Sequence, residues 1–166
     1  MQTETNTSLT YSILEVLNKI VKVLSSTFFG VMTVVIFMQI IWRYVLLKPI
    51  PWAEELARYL FVWITYLGAS VAVLEKSHTG VELFTSLLPK RMRRIASIVS
   101  YICCIFFVAL VGYYSWTLAM KVTKQRSPAM QISMFLPYLA IPLSSVLMFI
   151  NFIVLITEEF REILNS

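Results

Sequence analysis

Four long stretches of this chain, over about residues 26–47, 52–74, 95–120 and 134–156, are apolar and carry charge only near their ends. An apolar run of about 20 residues crosses the roughly 30 Å hydrocarbon core of a bilayer as a helix. Lipid offers no water to the backbone, so each run must close its hydrogen bonds within itself, which a helix does. The expected fold is therefore an all-α membrane protein, one membrane domain with four transmembrane helices. Hydrophobic residues make up 58% of the 166 positions and charged residues 14%, against about half and a quarter in soluble domains.

The formal net charge of +5 and the pI near 9.3 would suggest nucleic acid in a soluble protein. Here the basic residues fall at the ends of the apolar runs, where they meet lipid headgroups and set orientation, so membrane lipids are the expected partner and nucleic acid is not. Lys76, Lys90, Arg91, Arg93 and Arg94 make the middle loop the most basic. Arg43, Lys48 and Arg58 flank the first turn, and Lys121, Lys124 and Arg126 the third. The positive-inside rule then places the middle loop and both termini in the cytoplasm.

The first ten residues, MQTETNTSLT, are polar without a basic residue, and no small-residue cleavage site ends the first apolar run, so that span is expected to be retained. From Leu9, the residues Ile13, Val16, Leu17, Ile20, Val21 and Leu24 recur at helical spacing, with Glu15, Asn18, Lys19 and Lys22 between them. This predicts an N-terminal amphipathic helix, started by Ser8 or Ser12, that either lies in the interface or forms the wet beginning of the first span.

Arg43, near the end of that span, has two readings. Its long stem can snorkel to the headgroups, or it can pair with Glu54 or Glu55 across the turn at Pro49 and Pro51. Pro51 suits the first helical position of the second span, Trp52 follows it, and Glu54 and Glu55 fall in the first turn where the helix dipole favours carboxylates. Glu54 and Arg58 form an i,i+4 pair. These are sufficient structural reasons for the cluster, set against a transport or coupling role for its glutamates. Further in, Gly68, Ala69 and Ala72 give a small face that lets another helix approach closely.

Between the second and third spans, Leu83, Phe84, Leu87 and Leu88 predict a short interfacial helix over about residues 79–89. His78 and Glu82 stand one turn apart and are expected to share a hydrogen bond; too few neighbours exist for a metal site. Cys103 and Cys104 are adjacent on a helix, point in different directions and are expected to be buried packing residues, not a disulfide. Tyr113, Tyr114 and Trp116 suit an aromatic belt, and Pro137 and Pro142 are expected to bend the fourth span.

No catalytic constellation is visible. The single histidine lies at a membrane boundary, there is no aspartate, and the cysteines lack the spacing of a thiol oxidoreductase, so neither enzyme activity nor a cofactor is expected. Every glutamate falls at a span boundary or beyond one. A small proton-coupled exporter works through a carboxylate buried in mid-span, so this pattern favours a subunit that supports another protein.

The residues R-Y-V (43–45), P-W-A-E-E-L-A-R (51–58), Gly68, H-x-x-x-E (78–82), L-P-x-x-x-R (88–93), S-P-A-M-Q-I (127–132) and P-Y-L-A-I-P (137–142) follow one another in an order and spacing that resembles the small membrane subunit, DctQ type, of tripartite ATP-independent periplasmic (TRAP) transporters. The resemblance spans Arg43 to Pro142, with Glu82 where many relatives carry aspartate. It implies a scaffold subunit of a sodium-driven importer of organic acids, such as dicarboxylates or sialic acid, in a bacterial inner membrane. Its implied partners are a large elevator-type membrane subunit and a periplasmic substrate-binding protein. The cluster Arg43, Glu54, Glu55 and Arg58 is expected to serve those contacts. The competing reading is a stand-alone four-helix transporter or an adaptor of another membrane complex.

Overall fold

The computed structural model describes residues 2–74 and 90–164, with side chains over residues 14–74, 92 and 95–160. The predicted interfacial helix, with His78 and Glu82, lies outside the described residues.

Four helices account for almost all of the described chain: α1 (Gln2–Tyr44), α2 (Pro51–Leu74), α3 (Lys90–Lys121) and α4 (Phe135–Leu164). All four contain stretches long and apolar enough to cross a membrane, namely Leu14–Tyr44, Pro51–Leu74, Ile95–Lys121 and Phe135–Phe160. The amphipathic segment from Leu9 is not a separate helix. It runs unbroken into the first span, because no glycine or proline interrupts the sequence before Gly30 and helical bonding continues at no local cost. α1 ends at Tyr44, beyond which Leu47 adopts φ 52° and Lys48 N–H reaches back to the Trp42 carbonyl at 3.3 Å. Pro51 opens α2, where its missing N–H costs nothing.

The helices pack in the order α1, α2, α4, α3, since the substantial contacts are α1 with α2, α2 with α4, and α4 with α3. The result is an open row. Only 11% of the most apolar window of α1 and 6% of that of α3 is buried, against 28% and 39% for the two inner helices. The α1–α2 contact gathers Val21, Leu67 and Val71, with Trp63 edge-on to Phe28 at 6.2 Å between ring centroids. At the other seam Val73, Val108, Phe152 and Leu155 form a second apolar cluster, flanked by Tyr101 and Cys104.

Small residues bring α3 against α4. A Cβ placed on Gly112 would lie 3.2 Å from Ser145 Cβ, so the helices approach as closely as glycine permits. The expected small face of α2 behaves differently: a Cβ on Gly68 would meet nothing within 4 Å, and Ala69 is exposed. Among the described residues, no helix packs closely on that face at Gly68. Cys103 is exposed and only Cys104 is partly buried, because successive residues on a helix point about 100° apart and one of them faces outward; both are free thiols. Pro142 lies inside α4, whereas Pro137 falls in its first turn, where no helical hydrogen bond is lost.

Candidate functional site

Because consecutive spans alternate in direction, the end of α1, the start of α2, the end of α3 and the start of α4 all meet at one membrane face. The segment 122–134 between α3 and α4 folds there into a compact loop. Ser127 N–H donates to the Ile132 carbonyl at 2.9 Å, and the buried Ser127 hydroxyl accepts from Ile132 N–H at 3.2 Å. Gln131 takes the left-handed conformation at φ 57°, which reverses the chain. Its carbonyl accepts from the Arg126 guanidinium at 2.9 Å. Ser133 completes the structure as the N-cap of α4: its hydroxyl accepts from Phe135 N–H at 3.3 Å and donates to the Thr123 carbonyl at 2.8 Å.

Glu55 holds this loop onto α2. Its Oε2 accepts from two successive backbone amides, Ala129 N–H at 2.8 Å and Met130 N–H at 3.1 Å. Its Oε1 accepts from the hydroxyl of Tyr59, one turn further along α2, and that hydroxyl also lies 3.2 Å from the Met134 sulfur. Two adjacent amides converging on one oxygen form a small anion nest. The carboxylate is only 7% exposed, and its hydrogen bonds to three donors replace the water it has lost. A residue on α2 thus grips a loop more than seventy positions later in the chain.

The rest of the predicted charge cluster does not close around Glu55. Glu54 pairs with Arg58 at 3.4 Å, with both side chains largely exposed. Arg43 is exposed and forms no ion pair with either glutamate, since the Glu55 oxygens are committed to the loop and Glu54 is turned towards its own helix. Trp52 is exposed at the start of α2. Among the described residues, no group of three histidine, cysteine or acidic side chains comes together as a metal site.

A second polar contact lies about 22 Å further along α2 at 1.5 Å per residue, towards the opposite face. Asn18 on α1 and Asn151 on α4 exchange amide hydrogen bonds, 3.1 Å from Asn18 Nδ2 and 3.0 Å from Asn151 Nδ2. Asn151 Nδ2 also donates to the Ser70 carbonyl on α2 at 2.8 Å, and Asn18 Nδ2 to the Leu14 carbonyl at 2.9 Å. Asn151 is 1% exposed and Ser70 fully buried. Three helices are pinned at one point. The periodicity of α1 assigns Asn18 to the polar side with Lys19 and Lys22, yet Asn18 is buried and Val16 and Ile20 are exposed. The inversion follows from the solvent: in lipid, apolar side chains can face outward, and a carboxamide must turn inward to find a partner.

The chain is thus a multi-pass helical membrane protein whose described polar groups tie helices and a loop together. The family described as "Tripartite ATP-independent periplasmic transporters, DctQ component" matches residues 32–162. The chain belongs to this family, a transporter component and not an enzyme. It is 35% identical over 89 residues to the C4-dicarboxylate TRAP transporter small permease protein DctQ of Vibrio cholerae, covering 54% of this chain and 38% of that one. Against the isethionate TRAP transporter permease protein DctMQ of Oleidesulfovibrio alaskensis it is 38% identical over 99 residues, 58% of this chain and 16% of the relative. A candidate TRAP transporter small permease protein of Haemophilus influenzae aligns over 146 residues at 27% identity, 88% of each chain. In the first two comparisons the aligned part is well under two thirds of the relative's length.

Proposed function

We propose that this chain is the fixed small subunit of a sodium-coupled TRAP importer of organic acids. It braces a large moving permease subunit and presents its 122–134 loop to a periplasmic binding protein. The observation that carries this reading is the open row of helices. The outer spans are 89% and 94% uncovered in their most apolar windows, and the described carboxylates, Glu15, Glu54, Glu55, Glu158 and Glu159, all lie near the ends of the apolar spans, leaving none of them in mid-membrane to carry a coupling ion. The isethionate relative named DctMQ, of which this chain matches only 16%, supports a large partner, since there the matched segment is part of a much longer chain. The dicarboxylate and isethionate named in the relatives support an organic anion as cargo.

The basic middle loop supports an inner-membrane orientation with both termini cytoplasmic, which puts the Glu55 site on the periplasmic face. There the carboxylate fixes a loop bearing Lys124 and Arg126, both exposed, into one shape. A docking surface held rigid in advance loses less entropy on binding. Gly68 and the exposed Ala69 on the open face of α2 leave room for a helix of the large subunit.

Reconstitution in sodium-loaded liposomes tests the reading. Uptake of a dicarboxylate is expected only when this chain, the large permease and the binding protein are all present, and is expected to fall for Glu55→Ala while the two membrane subunits still co-purify. Transport by this chain alone would overturn it.

A further inference from the structure

Between the first half of α2 and the start of α4 lies a half-open cavity of about 620 Å³, within the range that holds small ligands. Its contents must match two different ends. At the level of the first turns of α2 stand Glu54 and Arg58, 3.4 Å apart with side chains 63% and 69% exposed. Eight residues further along, about 12 Å deeper at 1.5 Å per residue, the wall is Val62, Tyr66 and, from α4, Ile141. Glu55 also lines the cavity, but its oxygens are spent on the loop amides and Tyr59. The charges at the mouth that the loop does not use are therefore one carboxylate and one guanidinium, paired only with each other and largely exposed.

We infer that this groove is a binding site for a single zwitterionic phospholipid, phosphatidylethanolamine, its phosphate on Arg58, its ammonium on Glu54 and one acyl chain along Val62, Tyr66 and Ile141. The groove runs from the headgroup level into the acyl layer, as a lipid does and a soluble ligand does not. The paired charges favour a headgroup of both signs, because Glu54 repels the net charge of an anionic lipid. Pro128 of the anchored loop lines the same cavity. A helix, about 10–12 Å across with its side chains, would have to displace that loop, whereas a flexible acyl chain fits beneath it. The assignment does not depend on the transport reading, since it rests only on this chain's own walls.

Native mass spectrometry of the full chain, with whatever co-purifies, in nanodiscs of equal phosphatidylethanolamine and phosphatidylglycerol tests it. One phosphatidylethanolamine is expected to survive delipidation per chain, and Val62→Trp or Ile141→Trp, which fill the groove, are expected to abolish it. Arg58→Gln is expected to weaken retention about fivefold, and Glu54→Gln to shift the preference towards phosphatidylglycerol about threefold. These two exposed positions keep the test decisive should a tryptophan variant misfold. Retention unchanged in the folded variants would overturn the site. So would equal retention of both lipids by the wild type, or a photo-crosslinker at position 138 that captures a polypeptide and no lipid.

Discussion

Replacing Glu55 by alanine should release the 122–134 loop without unfolding the chain. The variant removes both acceptor oxygens and leaves Ala129 N–H and Met130 N–H without their partner. An orphaned buried donor costs about 1–3 kcal/mol, and these amides are only partly buried, so water recovers some of the loss. At about 1 kcal/mol for each, the opening free energy of the loop falls by about 2 kcal/mol, and amide exchange across residues 127–132 accelerates about 30-fold. Hydrogen exchange in nanodiscs reads this directly on a peptide covering that stretch. Peptides around Asn151 act as the internal control, because that contact lies towards the other end of α2 and should keep its protection. Glu55→Gln, with one oxygen left, should fall between the two. Unchanged exchange at 127–132 in the alanine variant would mean that the loop's own bonds through Ser127, Gln131 and Ser133 hold it, and the anchoring role of Glu55 would be wrong.

Three further outcomes follow from the packing. Asn18→Leu and Asn151→Leu should each destabilise the chain by about 1–2 kcal/mol by leaving the other carboxamide oxygen without its donor, its Nδ2 keeping a carbonyl partner, while the double variant should cost less than their sum, as unfolding in detergent would measure. Gly112→Leu should cost about 1–3 kcal/mol by forcing α3 from Ser145 on α4, whereas Gly68→Leu should leave the stability of the isolated chain within about 0.5 kcal/mol and lower the yield of co-purified large permease. Gln131→Gly should leave stability within about 0.5 kcal/mol, since the relief at φ 57° is offset by loss of the 3.1 Å hydrogen bond from Gln131 Nε2 to the Pro128 carbonyl, as the thermal midpoint would measure.

The four spans were legible because charge is so rare inside them that no other arrangement accommodates the backbone. Pro51 marked the start of α2, and the spacing of Glu54 and Arg58 foretold their pair. Glu55 was legible as a helix-dipole residue, as one of two candidate partners of Arg43 and as part of a contact cluster, but not as the anchor of a loop, because its observed partners are main-chain amides, which leave no mark in the residue types at 129 and 130. The proline-containing S-P-A-M-Q-I turn pointed to a shaped loop but not to what holds it. Asn18 was misassigned for a different reason: the rule that polar residues mark the outer face of a helix belongs to water. Asn151 offered the better signal, a carboxamide deep in an apolar run, which in lipid requires a partner.

The order α1, α2, α4, α3 also bears on how the protein is made. A ribosome delivers α1 and α2 first, and these can pair at once through Val21, Leu67 and Val71. α3 is delivered next with little surface to join, because among the described residues its substantial helix contacts are with α4, which is not yet synthesised. It must wait in the lipid or at the insertion machinery until α4 emerges and slots between it and α2. When α4 arrives, Gly112 meets Ser145, Asn151 meets Asn18 and Ser70, and the 122–134 loop comes within reach of Glu55. The last quarter of the chain therefore completes both polar ties, and a nascent chain halted after Lys121 would hold two paired helices and one stranded one.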